Sequence, residues 1–207
     1  MNTPRKSGST VLVAGDCEPP RRLSALPAVR ADDSAGIDDA ARDCRRLVVA
    51  GSDADLAAVL SRLMRTEALE VEVAHVRPGR RGWLDAGRAL SGTARRVPLI
   101  RDDTGTALVG AALWLPPPDR ETLQGEAVVD DTVLFDGDVA GVHIEPTPAL
   151  PGLRAAVLSG PRRRWVAGRA AQLGTTGALV SRDGVVGPRQ VKRSTFYRHT
   201  TGWLRVG

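Results

Sequence analysis

Aromatic residues, cysteine and lysine are all scarce in this chain of 207 residues, and no long apolar run occurs in it. Cys17 and Cys44 are its two cysteines, too few for a disulfide framework, and the absence of a CxxC pair argues against zinc or redox work. No run of about 18 apolar residues is present, so no membrane-spanning helix is expected. The polar start, Met1 to Thr10, leads into only Val11-Leu12-Val13-Ala14, too short for the core of a signal peptide; a cytoplasmic protein is expected. His75, His143 and His199 lie far apart without an HExxH pattern, and no GxSxG elbow exists. A zinc hydrolase or a serine-nucleophile enzyme has no support, and no metal site is expected.

What the chain does have is arginine, unevenly placed. Of its 29 basic side chains only Lys6 and Lys192 are lysines. Residues 77–101 carry seven arginines against Asp85 alone, and residues 102–160 carry ten carboxylates against Arg120 and Arg154. Residues 161–207 return ten basic groups against Asp183. Such a basic tail attracts anions, whether nucleic acid, lipid headgroups or phosphorylated small molecules; a plainly solvated charged face is the alternative. Arg162-Arg163-Arg164, Lys192-Arg193 and Arg198 interleave with Trp165, Phe196, Tyr197 and Trp203, the composition of a nucleic-acid surface. In strands the same alternation places aromatics in the core and charges in water.

The apolar periodicity changes along the chain. Val11–Gly15 predicts a short strand, residues 16–36 a proline-broken coil, and Ile37–Cys44 a short helix. Arg46–Ala50 predicts a buried strand, and Ser52 or Asp53 can cap the helix after it. In that helix Leu56, Val59, Leu60, Leu63 and Met64 form one apolar stripe. A strand at Glu70–Val76 and a helix at Trp83–Leu90 complete a parallel βαβ pattern. From about residue 97 the runs are short, β-branched and punctuated by turn residues, including Asp102–Gly105, Asp136-Gly137, Gly174 and Asp183-Gly184. The expected fold is thus α/β plus β: a small parallel α/β unit followed by an all-β, sandwich-like domain.

This layout resembles the diacylglycerol kinase and NAD kinase superfamily, and local residues carry the likeness. The family's buried strand, GGDGT turn and following helix correspond to Val48-Val49-Ala50-Gly51-Ser52-Asp53-Ala54-Asp55-Leu56. Its GTGND-type loop and F-A-R-A-L helix correspond to Gly79-Arg80-Arg81-Gly82-Trp83 through Arg88-Ala89-Leu90. In the β domain, Val133–Gly137 through Pro151-Gly152-Leu153 matches a family strand pattern, and Arg182-Asp183-Gly184-Val185 matches a late DGE hairpin. The likeness covers roughly residues 46–207; with the pattern along the chain, the expected organisation is a polar N-terminus at 1–10, a kinase-like α/β domain at 11–94 and a β-rich domain at 95–207. It implies phosphate binding by Gly51, Ser52 and Asp53; Arg80 and Arg81, where the family has small polar residues, can grip a phosphate by bidentate hydrogen bonds or stand as solvated loop arginines.

The departures from the pattern point away from kinase chemistry. A GGDGT turn works because bare backbone amides approach nucleotide phosphates at a helix N-terminus. Here Ser52 and Ala54 replace glycines, and Asp55 stands where the family has threonine. Two like charges about 4 Å apart repel by roughly 4 kcal/mol at an effective dielectric of about 20. Val185 occupies the place of the family's general-base glutamate, a step worth about 10²–10⁴ in rate. Asp183, beside it, points to the other face of a strand. The expectation is a non-catalytic relative that binds a phosphorylated ligand or a partner in the interdomain cleft, without a cofactor. The alternatives are an active lipid or NAD kinase using ATP and Mg, with Asp53 and Asp183 as the catalytic candidates; a nucleic-acid-binding β domain acting through 161–207; and a scaffold or homo-oligomer.

Overall fold

A computed structural model describes residues 8–30, 33–42, 44–79, 82–159 and 163–207. The chain forms two compact units, one of residues 1–97 with 202–207 and one of residues 98–201. In chain order the first unit contains β1 (Ser9–Val13), β2 (Ala28–Arg30), α1 (Ser34–Arg42), β3 (Arg46–Ala50), α2 (Asp53–Arg65), β4 (Glu72–Val76), α3 (Gly82–Ser91) and β5 (Ala94–Val97). The second contains β6 (Ile100–Asp102), β7 (Ala107–Leu108), β8 (Ala112–Leu115), β9 (Leu123–Val129), β10 (Thr132–Val139), β11 (Val142–Pro146), β12 (Leu153–Val157), β13 (Val166–Gly168), β14 (Ala170–Arg182), β15 (Val185–Val186) and β16 (Val191–Arg198). The closing strand, β17 (Trp203–Val206), returns to the first unit.

The first sheet has the order β2-β1-β3-β4-β17-β5. All its pairings are parallel except that of β17 with β5. Parallel strands need both faces covered, and β3 obliges: Leu47, Val48, Val49 and Ala50 are all wholly buried. On one face Val48, Ala50, Ala74, Val76 and Val206 pack with Ala86 and Ala89 of α3. At the start of the sheet Glu72, only 9% exposed, receives Arg45 and Arg46, whose guanidinium groups approach at 2.9 and 2.7 Å. Burial acts to raise the Glu72 pKa, but the hydrogen bonds from Arg46 and Arg45 outweigh it and hold the pKa below the ordinary value.

The second unit is antiparallel throughout. Its long strand β14 pairs with β9 and β16 through its first half and with β8 and β15 through its second. The register shifts between Gly174 and Ala178, so one strand turns a corner and serves two ladders. Trp114 and Phe196, both fully buried, anchor the core between them with ring centroids 6.1 Å apart. The Trp114 indole donates to Ser194 Oγ at 2.9 Å, which satisfies the one polar atom that its burial brings inside.

Several expectations change. The compact units divide at 97/98, and β17 lies parallel to β4 in the first unit. An alternating strand carries no mark of which sheet it will join; here burial of Trp203 and Val206 in the first unit decides it. The expected coil at 16–36 holds a three-residue edge strand, β2, all of it exposed. Strands run through the expected turns at Asp136-Gly137 and Gly174. The tight turn falls instead at Asp130-Asp131, between Val129 and Thr132, with Asp130 at φ 50°. The Asp183-Gly184 turn forms as expected, both residues at positive φ between paired Arg182 and Val185.

One buried charge fixes the corner. Asp102 is fully buried, and its carboxylate accepts from the amides of Thr104 and Thr106, the Thr104 hydroxyl and Arg182 Nε. It thereby closes the β6–β7 turn and ties it to β14. Arg182→Gln leaves the carboxylate buried without its countercharge and is expected to destabilise the protein by about 3 kcal/mol, measured as a fall in the urea midpoint at unchanged slope.

Candidate functional site

Gly51, Ser52 and Asp53 form the bend from β3 into α2. Ser52 is the N-cap, and Asp53 is the first helical residue rather than the cap. The Ser52 hydroxyl accepts from the Asp55 amide at 3.2 Å, while the Asp55 carboxylate accepts from the Ser52 amide at 2.8 Å and its hydroxyl at 2.7 Å. This is a complete capping box. Two of the amides that a phosphate would need are therefore engaged within the turn. The Asp55 carboxylate also fills the space beside Gly51: a Cβ there would lie 2.8 Å from Asp55 Oδ2 and 3.2 Å from the Ala14 methyl.

Asp53 faces His75 and Arg77 at the end of β4. Its Oδ1 is buried without a hydrogen-bond partner, 3.6 Å from His75 Nδ1 and 3.5 Å from Arg77 Nε. His75 Nε2 lies 2.9 Å from the Gly51 carbonyl. A carbonyl only accepts, so Nε2 carries the proton, and in the neutral ring Nδ1 is bare toward Asp53. Burial, reinforced by the Arg77 charge, pushes the His75 pKa below the ordinary histidine value, against the Gly51 hydrogen bond and the Asp53 and Asp85 charges. A neutral imidazole and a carboxylate thus meet acceptor to acceptor.

Next to this pair lies a recess of about 220 Å³ with Ala74, Ala89 and Val206 among its apolar walls. His75, Arg77, Asp85, Arg88 and Arg205 supply its polar lining. Asp85, 9% exposed, sits 3.6 Å from Arg77 and 3.7 Å from Arg88. Those separations exceed direct hydrogen-bond length, so the guanidinium groups keep N–H donors for another acceptor. No ion pair or hydrogen bond engages the Arg205 guanidinium among the described residues. Ligands of parallel α/β sheets sit outside the carboxyl ends of the strands, where β4 and β17 bring these residues. The dense arginines of 77–101 signalled a basic patch in the sequence, but nothing there marked His75 or Arg205 as their neighbours.

The remaining candidates fall elsewhere. Arg80 and Arg81 lie outside the described residues. Asp183 belongs to the second unit, where its carboxylate accepts from the amides of Val109, Gly110 and Ala111 at 2.6–3.1 Å. A carboxylate so engaged holds a loop and is poorly placed to take a proton. The aromatics of the basic tail are committed too. Phe196 is in the core, Trp203 is buried in the first unit, Tyr197 lies under Arg101, and Trp165 lies under Arg154 and against His143. Among the described residues no helix is long and apolar enough to cross a membrane, and no cluster of three metal-ligating side chains occurs.

The two-unit architecture is that of the diacylglycerol kinases and NAD kinases. A diacylglycerol kinase structure from Bacillus anthracis superposes with a TM-score of 0.73 at 11% identity, covering 99% of this chain and 98% of that one. An NAD kinase from Archaeoglobus fulgidus in complex with ATP gives 0.65 at 12% identity, covering 96% and 93%. Yeast NADH kinase complexed with NADH gives 0.62 at 10% identity, covering 99% and 84%. No protein-family model and no curated protein sequence matches the chain. At these identities the likeness establishes the fold.

The bend after β3 offers a nucleotide's phosphates fewer free amide donors than a bare glycine turn would. Its Ser52 and Asp55 amides are engaged, and the Asp55 carboxylate is turned inward to the cap. Mg²⁺ in such sites is held by one or two carboxylates together with substrate phosphates, and Asp53 is the carboxylate at this bend left to serve.

His75 has a measurable consequence. Because its folded-state pKa is depressed, the unfolded chain binds more protons as pH falls, and stability is lost on acidification. His143 and His199 are also shifted down, chiefly by burial, and act with the same sign. The histidine contribution to stability is expected to be full above about pH 6.5 and to decline below it, read from urea midpoints across pH. His75→Gln, which keeps a donor for Gly51, is expected to flatten that decline; an unchanged slope would show that His75 does not contribute.

Proposed function

We propose that the protein is a non-catalytic relative of the diacylglycerol and NAD kinases that binds a phosphorylated ligand on its first unit. One observation carries this reading: the helix bend that holds phosphate in a GGDGT turn is closed by its own capping box, while Arg77, Arg88 and Arg205 line an adjoining recess with unengaged donors. Guanidinium groups are matched to phosphate by paired N–H bonds that act along the planar fork. Three guanidinium groups there oppose the carboxylates of Asp53 and Asp85, and His75 is neutral at physiological pH, so the recess favours an anion. The absence of catalysis in this reading rests on the second unit. With Val185 in place of the glutamate, and Asp183 holding three amides, the second unit offers no proton acceptor at the DGE-like hairpin.

The test uses the purified full chain. Inorganic pyrophosphate and ADP serve as calorimetric probes, and Mg-ATP with diacylglycerol or NAD serves as the kinase assay. Arg77→Gln and Arg88→Gln are each expected to weaken probe binding about tenfold, the worth of one charge-assisted hydrogen bond, and no phosphoryl transfer is expected. Product formation abolished by Asp53→Ala would establish an active kinase instead. Absence of binding by any phosphorylated probe would remove the ligand reading.

A further inference from the structure

The second unit carries a recess of its own, about 350 Å³, on one face of the β9–β14–β16 ladder. Its geometry follows from register. Glu126 of β9 and Arg193 of β16 both stand opposite Gly174 of β14, so the three form a row across the strands. Two residues along, Val128, Gln172 and Thr195 form a second row on the same face. The intervening Ala127, Leu173 and Ser194 point the other way and are buried. Neighbouring strands are about 4.8 Å apart, so the backbones bearing the carboxylate and the guanidinium stand roughly 10 Å from each other.

Gly174 makes this row a trench. A glycine inside a strand weakens it and calls for a reason. Crowding does not supply one, since a Cβ at 174 would meet only the Glu126 side chain, at 3.9 Å. Left-handed backbone does not either, for Gly174 is not among the positive-φ glycines. The register shift that begins at Gly174, where β14 turns its corner, suits a residue without a side chain, and the missing side chain also leaves open the space between two opposite charges. Those charges do not close on each other: no ion pair or hydrogen bond engages the side chains of Glu126, Gln172, Arg193 or Thr195 among the described residues.

We propose that this trench binds a small zwitterion whose two charges are joined by a short alkyl spacer. The cationic end lies against Glu126, with Val128 beside it as an apolar contact suited to an alkylammonium. The anionic end, a phosphate or a carboxylate, lies against Arg193 with the Thr195 hydroxyl two residues along the same strand. Gln172, between them, hydrogen-bonds the middle of the ligand. The volume is that of a small-molecule site. A protein carrying this trench would have a ligand on its β unit independent of any anion held by the first unit.

The experiment is an amide NMR titration of the full chain with O-phosphoethanolamine and, as the carboxylate arm, γ-aminobutyrate. Inorganic phosphate and ethanolamine are the singly charged controls. Saturable shifts are expected at residues 126–128, 172–174 and 193–195, with at least one zwitterion binding about tenfold more tightly than either control. Gly174→Val, which fills the trench, is expected to abolish these shifts. Glu126→Gln and Arg193→Gln, both at exposed positions, are each expected to weaken binding about tenfold without lowering the thermal midpoint, and they decide the matter should Gly174→Val fail to fold. The proposal is overturned if neither zwitterion gives saturable shifts there. It is equally overturned if phosphate alone binds as well, or if the Glu126 and Arg193 substitutions leave affinity unchanged.

Discussion

The reciprocal hydrogen bonding of Ser52 and Asp55 is the interaction on which the functional character of the first unit turns. A helix N-terminus has orphan amides that must find an acceptor, and an incoming phosphate or a side chain can serve. In this chain the acceptors are built in. The Asp55 carboxylate occupies the Ser52 amide and the Ser52 hydroxyl occupies the Asp55 amide, so the first turn is stable by itself and has fewer donors for a ligand. A Ser cap of this kind is typically worth about 1 kcal/mol. The same contacts that steady α2 therefore use amides that a bare glycine turn would leave free.

Charge in the first unit is organised around that closure. Asp53, turned from the cap, meets a neutral His75 and the flank of Arg77, and Asp85, which accepts from the Arg77 backbone amide, stands between the Arg77 and Arg88 guanidinium groups at distances too long for hydrogen bonds to them. Loose ion pairs of this sort contribute little stability in water. Their value lies in leaving guanidinium donors oriented but unengaged at the carboxyl ends of β4 and β17. Contrast Glu72 at the opposite ends of these strands, where Arg45 and Arg46 close to hydrogen-bond distance on a nearly buried carboxylate. One end of the sheet is locked by its charges, and the other keeps them available.

In the second unit, carboxylates act as fasteners. Asp102 gathers its own turn and Arg182, Asp183 gathers the amides of 109–111, and Asp130 accepts from the amides of Arg169 and Ala170. Each ties a loop to β14 or to the strand pairs beside it. The acidic character of 102–160 is thus partly consumed in holding irregular backbone, whose amides would otherwise be buried without partners. Arg193 and Glu126, outside this system, are the charges that stay open on the same ladder.

The sequence by itself determined the local elements. The apolar stripe of α2, the unbroken run Leu47–Ala50, the Ser52 cap and the Asp183-Gly184 hairpin each rest on neighbours close along the chain, where periodicity and turn chemistry act directly. The order of a GGDGT-like bend and a DGE-like hairpin was legible for the same reason. Tertiary structure alone decided that β17 crosses back to β4, that β14 bends through Gly174 to serve two ladders, and that His75 and Arg205 meet Arg77 and Arg88. It also decided that Asp183 holds a loop 72 to 74 residues away. Those outcomes depend on which distant backbone or side chain arrives to share a hydrogen bond or a buried face, and pairing over such separations leaves no period in the residues that make it.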